Sequence, residues 1–336
     1  MNEHTVTVEI RKETQQSPVA DEVSALIAIV RPIMQGLLGS LKSRVADEVG
    51  GYESVKLMML GRLRLQGDGD CGICYEYAVH DAIRRKDPEI YGKVHDALSR
   101  HCRVPGDDLN SILFGAEKNG TKQLIDTAQE ILTDNSRLLT GKQSQPPKLK
   151  NYLTILATAF RRESTRKSLP TSINGLWKAD LFLGHTDTDR WVGTTVKINP
   201  RQLEAANGLR IGIVPASQGR SDAIIVDEAK NLVVCPLPYD GSFMEAFYNA
   251  WGIVQHFLQA DAYVPKEVAL PIPSHRRVAK ELERRREFPV VDVIEALAAL
   301  AQPHLLNTIS QNTSLILPGT TELITETLIA PFSSHV

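Results

Sequence analysis

The stretch LWKADLFLGHTDTDRWVGTTVKINP, residues 176–200, alternates apolar and polar residues on both sides of a polar turn. This alternation predicts two strands joined in a hairpin. Side chains two residues apart share a face of a strand, so Asp180 leaves the apolar row of the first strand. Thr195 and Lys197 share a face of the second strand. We therefore expect the hairpin to place Asp180 beside Lys197.

Lys197 stands in an otherwise apolar run, and the sequence offers two explanations for it. Its aliphatic stem can pack while the ammonium group reaches solvent. Alternatively, the ammonium group is directed at a phosphate beside a metal ion. Asn199 and Pro200 follow as the N-cap and first residue of a predicted short helix, PRQLEAAN.

From about residue 171 the pattern changes from helical to alternating. Together with the family resemblance given below, this predicts an α/β fold with a mixed β-sheet core flanked by helices and large helical additions. Two more strands are predicted at 209–216 and 231–238. Helical periodicity marks most of the remaining chain, with an interruption expected at Pro32. The predicted helical stretches are 23–49, 71–86, several within 87–140, 242–259, 275–287 and 290–306.

These patterns suggest three regions. Residues 1–66 form a mainly helical N-terminal region that begins with a short strand. Residues 67–260 form an α/β core that contains a helical insertion over 87–170. Residues 261–336 form a helical or irregular C-terminal extension.

The predicted helix 71–86 carries a carboxylate on its apolar face. On a helical wheel, Glu76 and His80 fall within the arc of apolar residues, whereas Asp81, Arg84 and Arg85 fall outside it. A carboxylate on a packed face needs a partner. A hydrogen bond from His80 would be one partner, and a metal ion shared with Asp180 would be another.

This order of residues resembles the PD-(D/E)xK nuclease superfamily. In that family a glutamate on the first core helix precedes an aspartate in a strand, and the next strand carries an acidic residue, any residue and a lysine. Glu76, Asp180 and Lys197 match this pattern, and the resemblance covers residues 67–258. Thr195 departs from it, because the family has an acidic residue at this position.

The resemblance implies a DNA endonuclease that depends on Mg²⁺ or Mn²⁺. Glu76 and Asp180 would bind the metal ion, and Lys197 would orient the attacking water or neutralise charge on the phosphate. Glu204 is the candidate for an acid that has moved from position 195 to the following helix. The resemblance also suggests a component of bacterial restriction or phage defence.

Two other classes of function compete with this hypothesis. Thr195 favours a catalytically degenerate, nuclease-like subunit that binds nucleic acid or a partner protein. Cys71 and Cys74, with His101 and Cys102, would suit a zinc-stabilised helical interaction protein, although the first pair lies at a helix start rather than on a knuckle turn.

The turn of the hairpin offers one more set of metal ligands. His185, Asp187 and Asp189 would suit a hard cation, but polar residues are also expected in any turn between strands.

Charge, hydropathy and cysteine content limit the expected partners and cellular location of the protein. The 336 residues carry a formal net charge of −2, which argues against a protein that coats nucleic acid by bulk charge alone. Basic runs such as 161–167 and 275–287 remain candidates for local contacts. No uninterrupted apolar stretch of ~20 residues predicts a membrane span. Four cysteines suit a reducing compartment, so we expect a cytoplasmic protein. The expected partners are nucleic acid and a targeting protein, and an oligomer is compatible with the sequence.

Overall fold

The computed structural model describes residues 21–64, 70–115, 128–141, 145–204, 207–216, 222–239, 241–264 and 270–306. The predicted N-terminal strand and the C-terminal residues 307–336 lie outside these residues.

The described residues form a seven-stranded mixed sheet. The strands are β1 (Leu109–Ile112), β2 (Arg137–Leu138), β3 (Leu181–His185), β4 (Arg190–Val196), β5 (Leu209–Pro215), β6 (Ile225–Asp227) and β7 (Leu232–Leu237). Their order is β1-β3-β4-β5-β7-β6, and β2 pairs with β4. The pairs β4–β5 and β5–β7 are parallel, and β1–β3, β3–β4 and β6–β7 are antiparallel. The predicted α/β fold with a mixed sheet is confirmed.

Helices cover the sheet. They are α1 (Asp21–Gly39), α2 (Ser43–Asp47), α3 (Leu57–Leu63), α4 (Asp70–Arg84), α5 (Pro88–Asp96), α6 (Ala128–Ile131), α7 (Leu149–Arg161), α8 (Glu163–Arg166), α9 (Gly241–Gln259), α10 (Pro273–Glu283) and α11 (Val290–Ala298). A π-helical turn at Ala97–His101 continues α5.

Two hydrophobic cores lie on opposite faces of the sheet. The larger core joins Leu181, Leu183 and Val192 to buried residues of α1, α4, α9 and α11. The smaller core joins Phe182 and Trp191 to buried residues of α7. Because successive residues of β3 point to opposite faces, this one strand contributes to both cores.

Helix α1 runs without interruption through Pro32, so the predicted break is wrong. Proline in a helix interior costs ~3 kcal/mol or more. Nearly every residue of α1 from Val23 onward is buried, and this burial outweighs the penalty. At Gly36 a Cβ atom would lie 2.8 Å from the Cα of Cys74, so glycine allows α1 and α4 to pack closely.

By length and composition alone, α1 is also the one helix among the described residues that can cross a membrane. Its apolar window is 83% buried inside the molecule. Helix α1 is therefore a helix of the larger core.

Three local expectations need correction. The stretch 87–170, expected to be helical, also contains strands β1 and β2, because β1 gains its hydrogen bonds from the distant strand β3. The first hairpin strand begins only at Leu181, after a 3₁₀ turn at Leu176–Lys178. In place of the helix predicted for PRQLEAAN, the described residues show a short 3₁₀ turn over Pro200–Gln202.

Candidate active site

The β3–β4 hairpin brings Asp180 next to the end of β4. Asp180 lies one residue before β3, and its backbone N–H donates a 2.8 Å hydrogen bond to the carbonyl oxygen of Thr194. Lys197 lies one residue after β4, and its N–H donates to the carbonyl oxygen of Ile213, next to the end of β5. Both side chains therefore sit where regular strand pairing stops, with their backbones held by the sheet.

A single carboxylate oxygen of Asp180 accepts three hydrogen bonds. Oδ2 lies 2.9 Å from Thr195 Oγ1, 3.0 Å from the Val196 nitrogen and 3.0 Å from Lys197 Nζ. Asp180 is only 6% exposed, so these donors replace the water lost on burial. The predicted contact of Asp180 with Lys197 is present.

Glu76 joins this pair from the helical layer. It lies on α4, and its Oε1 atom is 3.9 Å from Lys197 Nζ. The side chain of Glu76 is 13% exposed and that of Lys197 is 30% exposed. Three residues that are distant in sequence thus converge, as the sequence pattern predicts, with one ammonium group within 4 Å of two carboxylates. We call Glu76, Asp180 and Lys197 the acidic cluster.

Contacts around β1 position α4 over the end of the hairpin. His80, one turn after Glu76, has its Nδ1 atom 3.0 Å from the hydroxyl of Ser111 on β1. Gly115, shortly after β1, donates its N–H to the carbonyl oxygen of Asp180 at 2.9 Å. A Cβ at Gly115 would lie 3.3 Å from Glu76 Oε2, so this residue borders the acidic cluster. Sequence reasoning missed Ser111 and Gly115, because no local pattern links β1 to this site.

The electrostatics of the acidic cluster keep Lys197 charged. Burial lowers the pKa of Lys197. The negative charges of Asp180 and Glu76 and the hydrogen bond with Asp180 raise it, and together they outweigh burial. The net result is a pKa above the ordinary lysine value of 10.5. Lys197 is therefore an ammonium group at neutral pH and cannot act there as a proton acceptor.

Thr195 and Glu204 occupy the two positions considered for a further acid. Thr195 is 6% exposed and donates its hydroxyl hydrogen bond to Asp180, so it orients that carboxylate. Glu204 forms an ion pair with Lys178, at 2.6 Å between Oε2 and Nζ. This hydrogen bond lowers the pKa of Glu204, and its negative charge in turn raises that of Lys197. Glu204 thus lies near the acidic cluster and is paired at its border.

Glu76 and Asp180 together suit one hard cation that takes few of its ligands from the protein. Mg²⁺ needs only one or two protein carboxylates and takes its other ligands from water and phosphate. Glu76 and Asp180 provide two carboxylates around one small volume. Across the described parts of the chain, no group of three or more His, Cys, Asp or Glu side chains gathers to form a richer metal site.

The cysteines of the zinc hypothesis occupy packed positions. Cys74 is buried against α1, with its Sγ atom 3.5 Å from the carbonyl oxygen of Ile33. Burial raises the pKa of Cys102 to about 12. The Cys102 thiol is therefore protonated at neutral pH in the metal-free protein.

The turn residues of the hairpin are used in local hydrogen bonds. Asp187 accepts from the backbone N–H of Asp107 at 3.0 Å. Asp189 accepts from the hydroxyls of Thr133 and Ser136, at 2.7 and 2.8 Å. These carboxylates therefore fasten neighbouring loops to the turn.

No protein-family model, curated protein or solved structure matches this chain. The comparisons therefore supply no family, substrate or cofactor. The interpretation of the site rests on its own geometry and charge.

Proposed function

We propose that this protein is a metal-dependent nuclease that hydrolyses phosphodiester bonds, with DNA as the expected substrate. One observation carries the proposal: Glu76, Asp180 and Lys197 converge from a helix and two strand ends, in the order and on the elements typical of PD-(D/E)xK nucleases. Each residue alone has an ordinary structural explanation. Their convergence leaves two carboxylates to share one ammonium group.

Each residue has a defined task in this proposal. Glu76 and Asp180 would hold Mg²⁺ or Mn²⁺, which would polarise the phosphoryl oxygen and lower the pKa of the attacking water. Thr195 and the Val196 N–H fix the orientation of Asp180. Lys197 contributes positive charge that stabilises the charge developing on the phosphate, because its raised pKa keeps it protonated.

A second candidate is a nuclease-like subunit without activity, which binds nucleic acid or a partner protein. Two observations favour it. Thr195 stands where an acid is expected, and Lys197 Nζ already pairs with both carboxylates. In this case the ammonium group acts as a permanent counter-ion and takes the place of a metal ion.

Incubation of the purified protein with plasmid DNA and Mg²⁺ or Mn²⁺, against an EDTA control, tests activity directly. Nuclease function predicts nicking or linearisation that EDTA abolishes. RNA and single-stranded DNA are assayed in parallel. Metal-dependent cleavage that is unchanged in both Lys197→Met and Asp180→Asn would show that the acidic cluster is not the active site.

Substitution of Thr195 separates the two candidates. If the parent protein is inactive, Thr195→Glu restores the second acid, and a gain of metal-dependent cleavage identifies a degenerate subunit. If the parent is active, Glu204→Gln tests whether the acid comes from the neighbouring segment. Thr195→Val is the matched control, because it keeps the shape of threonine and removes only the hydroxyl group.

The biological setting belongs to the same proposal. By the resemblance, the protein would act in the bacterial cytoplasm, in restriction or phage defence, and a partner protein would provide part of the targeting. The net charge of −2 supports such a partner, because bulk attraction to nucleic acid is weak.

A further inference from the structure

A surface of aromatic and cationic side chains lies beside the acidic cluster. It is formed by the end of α7, by α8 and by the 3₁₀ turn that precedes β3. We call it the aromatic–cation surface, and its members are Phe160, Arg161, Arg162, Arg166, Trp177 and Lys178.

Arg166 and Trp177 form its fixed part. The guanidinium carbon of Arg166 lies 3.9 Å from the ring centroid of Trp177. Arg166 Nε also donates to the carbonyl oxygen of Ala159 at 2.9 Å, which holds the guanidinium at the end of α7. Trp177 packs on the smaller core with part of its ring. The pair therefore forms a cation–π contact that is anchored at the end of α7, and we call it the Arg166–Trp177 support.

Phe160 extends this support into solvent. Its ring is 40% exposed, and its centroid lies 6.5 Å from that of Trp177. Phe160 therefore contacts Trp177 and leaves part of its surface in solvent. Its ring presents an apolar, flat surface next to an Arg–Trp stack.

The charge of this surface differs from that of the whole protein. Residues 160–178 contain five lysines and arginines and a single acid, Glu163, whereas the whole chain has a net charge of −2. Arg161, Arg162 and Lys178 are exposed. A polyanion is therefore attracted to this part of the molecule more than to the average surface.

The surface continues directly into the acidic cluster. Trp177 and Lys178 precede Asp180 by three and two residues. Lys178 Nζ lies 2.6 Å from Glu204, and Glu204 is close enough to Lys197 for their charges to interact. Through Lys178 and Glu204, the aromatic–cation surface therefore borders the acidic cluster.

We propose that the aromatic–cation surface binds single-stranded nucleic acid and leads it into the acidic cluster. Unpaired bases stack on Phe160 and the Arg166–Trp177 support, and the phosphates contact Arg161, Arg162 and Lys178. A duplex cannot stack in this way, because its base faces are covered by neighbouring base pairs. The inference deepens the proposed nuclease function and names its substrate as unpaired strands, ends or flaps.

Binding is measured apart from cleavage. Fluorescence anisotropy in EDTA compares a labelled single-stranded oligonucleotide with the duplex of the same sequence. We expect tighter binding of the single strand. Phe160→Ala weakens single-strand binding about fivefold or more, the loss of one stacked base, and changes duplex binding little. Phe288→Ala is the matched control, because Phe288 is 56% exposed outside this surface, and it leaves both affinities unchanged.

The cationic residues are tested by salt dependence. The double variant Arg161→Gln/Arg162→Gln loses two phosphate contacts, so the slope of log affinity against log salt falls by about 1.4 for a single strand. Trp177→Ala is compared with Trp177→Phe, which retains an aromatic ring and restores binding in part. Circular dichroism verifies folding, and if Trp177→Ala does not fold, Phe160→Ala decides the question.

The outcomes separate this inference from the proposed function. If single-strand binding depends on Phe160 but the protein cleaves no nucleic acid, the aromatic–cation surface is supported and the proposed nuclease function is contradicted. Metal-dependent cleavage together with equal or tighter binding of the duplex, or with no effect of Phe160→Ala, overturns the surface and leaves the nuclease standing. Binding to an acidic polypeptide in preference to the oligonucleotides also overturns it.

Discussion

Helix α4 carries two carboxylates that are largely shielded from solvent and whose surroundings have opposite charge balance. Asp81 accepts from Arg85, which directly follows the last residue of α4, and from Arg31 of α1, with 3.5 Å between Arg31 Nη1 and Asp81 Oδ1. Here two guanidinium groups share one carboxylate. Five residues earlier, Glu76 faces Asp180 and Lys197, where two carboxylates share one ammonium group.

Both clusters consist of carboxylates and cationic groups, and they differ in the sign of their net charge. Burial lowers the pKa of Arg31, Asp81 opposes this effect, and the nearby charge of Arg85 lowers the pKa further. The cluster around Asp81 carries excess positive charge, which repels a further cation. The acidic cluster has excess negative charge, so it can attract a further cation. Charge balance, more than burial, distinguishes the candidate active site from a structural ion pair.

The largest expected effect contrasts Asp180→Asn with Asp81→Asn in cleavage assays. Asp180→Asn removes a proposed metal ligand and lowers the initial rate of metal-dependent cleavage, measured on the nucleic acid that the wild type cleaves fastest, at least about 100-fold, since each tenfold loss needs only ~1.4 kcal/mol of transition-state stabilisation. Asp81→Asn keeps the specific activity of the folded fraction. Similar losses of specific activity in both variants would remove the distinction between the clusters.

The same two variants reverse their order in stability. Asp81→Asn leaves Arg31 and Arg85 without their shared carboxylate and lowers the free energy of unfolding by about 2–4 kcal/mol. Asp180→Asn has a smaller effect, because the amide oxygen still accepts hydrogen bonds and repulsion from Glu76 disappears. Urea denaturation of both variants measures the difference. An equal or larger loss for Asp180→Asn would show that the acidic cluster is mainly a structural element.

Removal of the ammonium group sharpens the comparison. Lys197→Met leaves Glu76 and Asp180 without their cation, so Mn²⁺ raises the melting temperature of this variant more than that of the wild type. The expected gain is a few degrees, measured at several Mn²⁺ concentrations. The control Arg31→Met leaves one guanidinium with Asp81 and gains no response to Mn²⁺. An absent response in Lys197→Met would argue against a metal site.

The raised pKa of Lys197 predicts a dependence of stability on pH. A group whose pKa is higher in the folded than in the unfolded state stabilises fully below its unfolded value. The contribution of Lys197 is thus complete below about pH 10.5, the ordinary lysine pKa, and is lost as pH rises through the higher folded value. Urea denaturation from pH 8 to 11 measures the free energy of unfolding, and one unit of pKa shift corresponds to ~1.4 kcal/mol. We expect the wild type to lose stability over this range and Lys197→Met to lose less. Parallel profiles would contradict the ion pairing.

The smallest effect concerns a residue that touches the acidic cluster without carrying charge. Gly115→Ala introduces a Cβ atom 3.3 Å from Glu76 Oε2 and pushes this carboxylate aside by a few tenths of an ångström. Cleavage falls severalfold, while the free energy of unfolding changes by less than about 1 kcal/mol. Gly92→Ala is the control, since its added Cβ atom has open space. Full activity of Gly115→Ala would place Glu76 outside the reacting geometry.

Local pattern determined much of the fold. Alternating residues on both sides of a polar turn specify the β3–β4 hairpin, and hairpin pairing alone brings Asp180 to Lys197. Helical periodicity specifies α4, α9 and α10 in the same way. The cap of the 3₁₀ turn after β4 was also predictable, because Asn199 Oδ1 accepts from the N–H of Arg201. In each case the interacting residues lie close together along the chain.

The tertiary structure alone decided the rest. Residue patterns tell which side of an element is buried, but not which distant element covers it. Four-residue β1 exists because β3 completes its hydrogen bonds, and through Ser111 it holds α4. Asp81, expected outside the apolar face, is 9% exposed because Arg31 arrives from α1. The sequence by itself identified the residues proposed for the chemistry, whereas packing between distant segments decided that Glu76 meets Lys197 and Asp81 does not.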